Sequence, residues 1–81
     1  MITEHQRAVL TRDMPDEGLI AGDVGAVIHI HSRPGAAEPA GYTLEFFSLD
    51  GESIAIATVS ASDVRPVAKG EIAHARAVAA E

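Results

Sequence analysis

The sequence predicts an all-β fold, a small closed or partly closed barrel of five short strands with a C-terminal helical tail. Three observations predict it. Apolar and polar residues alternate with period two in several short runs, an Asp50-Gly51 pair marks a tight hairpin between two of them, and a polar break resembling one helical turn precedes the last. With 81 residues the chain has room for one domain with one core and none for a separate catalytic domain.

Residues 7–11 are apolar and β-compatible and form the first predicted strand. The turn formers at 13–18, including Pro15 and Gly18, end it, because proline cannot donate to a strand ladder. Leu19 and Ile20 are an apolar interlude in this polar connection, so the loop is expected to fold back over one end of the core. The second strand, 23–31, is the clearest. Val24, Ala26, Ile28 and Ile30 fall on one face, and Gly25, Val27, His29 and His31 on the other. Residues 32–41 hold two prolines and two glycines and read as a surface loop.

The third strand, 42–47, sets Tyr42, Leu44 and Phe46 against Thr43, Glu45 and Phe47, and the fourth, 53–59, follows the Asp-Gly hairpin. A short fifth strand, 64–67, contains Pro66 and is therefore confined to an edge. Beyond Lys69-Gly70, residues 71–81 are alanine-rich. They are expected to form a helix with a weak stripe of Ile72, Ala75, Val78 and Ala79, docked on the barrel's open end or on a second copy of the chain. The predicted division is a domain at 1–68 and a helical tail at 69–81.

Composition narrows the function. There is no cysteine, so disulfides and thiolate metal sites are excluded. The amino-terminal residues lack a secretory pattern and no segment is long and apolar enough for a membrane span, which predicts a cytoplasmic protein without membrane contact. Twelve acids against six bases give a net charge of −6, which opposes nucleic acid and anionic lipid. Tyr42, Phe46 and Phe47 are the only aromatic residues, too few for a groove that docks proline-rich peptides.

The run Pro15-x-x-Gly18-Leu19-x-x-Gly22-Asp23-x-Gly25-x-Val27, the strand Tyr42-x-Leu44-Glu45-Phe46 and the closing Asp63-x-Arg65-Pro66 resemble a bacterial family of short proteins, domain of unknown function 4926, over about residues 7 to 67. The resemblance implies an SH3-like barrel of unassigned function. It also carries the family-level suggestion of an antitoxin or immunity protein beside a small toxin. The histidine pair and the alanine-rich tail are not explained by that pattern.

The glycines at 22 and 25 lead into a strand rather than a helix, so they suit turn geometry and not phosphate binding. No Lys or Arg lies between Asp13 and Ser32, which disfavours RNA binding by the same segment. His29 and His31 share a strand face and are weak candidates for metal ligands, with no third ligand forced near them by spacing. Asp13, Asp16, Glu17 and Asp23 form an acidic cluster suited to attracting a basic partner surface.

Nothing sets a nucleophile beside a base and oxyanion donors, so neither catalysis nor a cofactor is expected. The expectation is a non-enzymatic protein-binding module, with the family resemblance implying an antitoxin- or immunity-like partner of a small toxin. The alternatives are an accessory barrel of a metal-dependent enzyme and an RNA-binding module.

Overall fold

The computed structural model describes residues 2–78. One antiparallel sheet contains β1 (Arg7–Leu10), β2 (Val24–His31), β3 (Gly41–Phe47), β4 (Ser53–Ser60) and β5 (Val64–Pro66), in the spatial order β4-β3-β2-β1-β5. The five predicted strands are thus present, with Pro66 on an edge strand as proline requires.

β4 and β5 occupy opposite edges, yet a single 3-10 turn, Ala61–Asp63, joins them. Edges of a flat five-stranded sheet stand about 19 Å apart. The four residue steps from Ser60 to Val64 reach about 14 Å at most. The sheet must therefore curl, and it leaves an unpaired seam between its edges instead of closing. Two bulges help it bend, one at Ile28 in β2 and one opposite the Phe46/Phe47 step.

The core lies inside the curl. Leu10, Leu19, Val27 and Leu44 are its fully buried large side chains, joined by Ile2, Tyr42, Phe46, Val59 and Val64. The alternation read for β3 holds, with Tyr42, Leu44 and Phe46 inward. Across from them β4 presents Val59, Ala57 and Ala55, so the bulk on one strand meets small residues on the other. As a consequence Ile54 and Ile56 face outward, 42% and 56% exposed.

β2 departs from its expected apolar face. Gly25 and Val27 point inward, whereas Val24 and Ile28 are largely exposed. The Phe46 ring lies against Gly25 so closely that a Cβ there would stand 2.9 Å from Cε2, which fixes this phase. The bulge at Ile28 then reverses the alternation, and Ile30 packs on the core while His29 and His31 face outward. The residues ahead of β1 extend the pairing: the His5 amide donates to the Val27 carbonyl at 2.7 Å, and Ile2 is buried.

The helical tail predicted at 69–81 is not formed. Residues 71–78 carry no helix, and 79–81 lie outside the described residues. Ile72, the largest side chain of the expected apolar stripe, is 93% exposed. So short a segment with so narrow an apolar stripe gains little by coiling, and polar contacts to the sheet hold it extended instead. Arg65 grips Glu71 with both terminal nitrogens, at 2.9 and 2.6 Å, and Arg76 grips Asp23. Residues 69–78 are thus a strap that runs on the outer side of the sheet from Arg65 of β5 to Asp23 just ahead of β2. Beneath it Val9, on the face away from the core and paired with Val24 and Arg65, is only 6% exposed.

Candidate interaction surface

The connection from β1 to β2 is built by its polar side chains. Met14 and Leu19 bridge to each other, the 3-10 turn Pro15–Glu17 closes between them, and Gly18 ends the turn at φ 73°, a left-handed value suited to glycine. Asp13 Oδ1 accepts from the Ala21 amide and Asp23 Oδ2 from the Ile20 amide, each at 2.9 Å. Both carboxylates brace the loop while Leu19, one of the two residues of the predicted apolar interlude, plugs the core; the other, Ile20, is exposed.

The four predicted partner-binding residues therefore separate into two groups. Asp13, Asp16 and Glu17 line a cleft of about 360 Å³ facing Thr58, Val59 and Ser60 of β4. Asp16 and Glu17 are exposed and make no side-chain hydrogen bond or ion pair among the described residues. Asp63 and Arg12 complete the rim through a contact of 3.4 Å, so the cleft holds four carboxylates and one guanidinium. It lies between the loop that follows β1 and the Ser60 end of the outer strand β4.

Asp23 belongs elsewhere, under the strap. Arg76 donates from Nε to its Oδ1 at 2.9 Å, and from its terminal nitrogen to the Gly18 carbonyl at 3.1 Å. Partial burial pushes the Asp23 carboxyl up, but the Arg76 guanidinium and the Ile20 amide outweigh it and leave the pKa below its ordinary value. Glu71 is held at about 2 by Arg65 first and by the Ala68 amide second. The strap and the outer sheet face enclose a wider groove of about 670 Å³, whose apolar lining includes Val24, Phe47, Ile54, Val67 and Ile72.

His29 and His31 stand edge to face with ring centroids 4.6 Å apart. His31 Nε2 shares a hydrogen bond of 2.7 Å with Thr43 Oγ1, which in turn meets Thr58 Oγ1 at 2.8 Å. Among the described residues no group of three or more His, Cys, Asp or Glu is placed to hold a metal ion. Nor is any described helix long and apolar enough to cross a membrane.

Sequence reasoning missed the strap and its two arginine pairs. The available signal was Arg76, a lone cation in an alanine-rich tail with an unmatched aspartate in the glycine block. It also missed that β4 is an outer strand, which depends on the sheet order.

The family model described as "Domain of unknown function (DUF4926)" matches residues 4–66 of the chain. No curated protein and no solved structure matches it.

Proposed function

This chain belongs to the DUF4926 family, and we propose that it acts as a non-enzymatic protein-binding module that captures a basic partner at its acidic cleft. One observation carries the reading: the cleft combines four carboxylates and a single guanidinium with the uncharged end of β4. Such a surface attracts cations at long range and repels nucleic acid, and the net charge of −6 strengthens both effects. A small basic protein, such as the toxin of a two-gene pair in the cytoplasm, has the matching chemistry.

We read the curled sheet as an SH3-like barrel formed by residues 2–68, with 69–78 as an appended strap. The strand order and the three-residue crossover from β4 to β5 support that reading.

Affinity purification from the native host, comparing the wild-type chain with the double variant Asp16→Lys/Glu17→Lys, tests the function. A stoichiometric basic protein that is retained by the first and lost by the second supports it. Identical recovery from both variants, or no stoichiometric protein from either, refutes it.

A second reading, an accessory domain of a metal-dependent enzyme, draws on the closeness of His29 and His31. Calorimetric titration with zinc, nickel and cobalt tests that one, and silence at micromolar metal removes it.

A further inference from the structure

We infer that β4 accepts an added β-strand from the partner: an extended segment of alternating apolar residues with lysine or arginine at the end that lies beside Ser60. The inference rests on the acidic-cleft reading and specifies how the partner is held.

β4 is the outer strand on its side of the sheet, so one row of its backbone amides and carbonyls faces away from β3. Folded proteins guard such an edge with charge, proline, short length or a covering segment. The other edge is guarded in these ways, since β5 has three residues, ends in Pro66 and has Arg65 pinned to Glu71. β4 is eight residues long, and its sequence SIAIATVS contains no charge and no proline. The bulge lies at its Ile54 end, which leaves residues 55–60 in regular register with β3. Exposed Ile54 and Ile56 stand on one face of this open edge, where alternate side chains of an added strand would pack on them.

Charge selects the occupant. Asp13, Asp16 and Glu17 stand across the cleft from Thr58, Val59 and Ser60, at one end of the edge only. A second copy of the chain would bring another net charge of −6 and nothing to neutralise those carboxylates. A basic-ended strand pairs with the backbone along β4 and with the carboxylates at its end.

The test is selection of peptides of about twelve residues from a random displayed library against the whole chain. Binding of the enriched peptide is then measured by fluorescence polarisation. The expected peptides alternate β-branched and polar residues and group their basic residues at one end. N-methylation of alternate peptide amides should cost about tenfold or more in one phase and little in the other, because only one phase faces β4. Asp16→Lys/Glu17→Lys, both on an exposed turn, should weaken binding and flatten its salt dependence.

Binding that survives N-methylation in both phases but falls on charge reversal overturns strand addition and leaves the acidic-cleft reading standing. Binding indifferent to charge reversal overturns both. Failure to enrich any alternating peptide, or a concentration-dependent dimer cross-linked through β4, also overturns the inference.

Discussion

Arg76 donates from Nε to Asp23 Oδ1 at 2.9 Å across 53 residues of sequence, and this pair, with Arg65 and Glu71, is what fastens the tail to the sheet. Asp23 also accepts from the Ile20 amide, so one carboxylate couples the loop after β1 to the strap. Replacing Arg76 by Gln is expected to free residues 72–78 while the strands stay ordered. Backbone 15N relaxation checks this: steady-state NOE values should fall in the tail and hold in β1 to β5. Unchanged tail values would show that Glu71 and apolar contacts are sufficient.

Acid should release the same strap from its other end. Glu71 has its pKa depressed from an ordinary 4.5 to about 2 by Arg65 and the Ala68 amide. A depressed carboxylate contributes stability that is present above its unfolded pKa and lost as pH falls through the folded one. The stabilisation from the Arg65–Glu71 contact should therefore be complete at neutral pH and fade as pH falls from about 4.5 to about 2, with the contact itself breaking as Glu71 titrates at about 2. Carboxyl chemical shifts of Glu71 followed by NMR should show that midpoint, and Arg65→Gln should move it back toward 4.5.

Two glycines are sites of close approach, with different neighbours. At Gly25 an added methyl meets the Phe46 ring at 2.9 Å, and at Gly41 it would fall on the Val59 carbonyl oxygen of the paired strand. Gly25→Ala and Gly41→Ala should each destabilise by about 1 to 3 kcal/mol, with Gly41 the more severe because backbone yields less than a side chain. Urea denaturation measures both, and a neutral Gly41→Ala would contradict the β3–β4 geometry.

Outside and inside positions of the hairpin should differ sharply. Leu44 is 0% exposed at the centre of the core, so Leu44→Ala should cost about 2 to 5 kcal/mol. Ile56→Thr, on the open outer face, should change stability by about 0.5 kcal/mol or less. Thermal unfolding of the two variants separates these outcomes.

Local chemistry made much of this fold legible in the sequence. Asp50-Gly51 marks the hairpin: the Ser48 amide donates to the Glu52 carbonyl at 2.8 Å and Gly51 takes φ 96°. Pro66 forecasts an edge strand, and Leu19 forecasts a loop that returns to the core, because each follows from one residue's own geometry or hydrophobicity. The acidic cluster was legible as composition, but its separation into cleft residues and the strap anchor Asp23 was not.

The inward face of β2 was beyond local reading, since the Phe46 ring on Gly25 and the bulge at Ile28 reverse the apparent alternation. Helix propensity at 71–78 was likewise overridden by two ion pairs to distant residues, Glu71 to Arg65 of β5 and Arg76 to Asp23 just ahead of β2. Strand identity and turns thus came from the sequence, because they depend on neighbouring residues. Strand phase, the open edge of β4 and the course of the tail came from the tertiary structure, because each is decided by contacts between residues far apart along the chain.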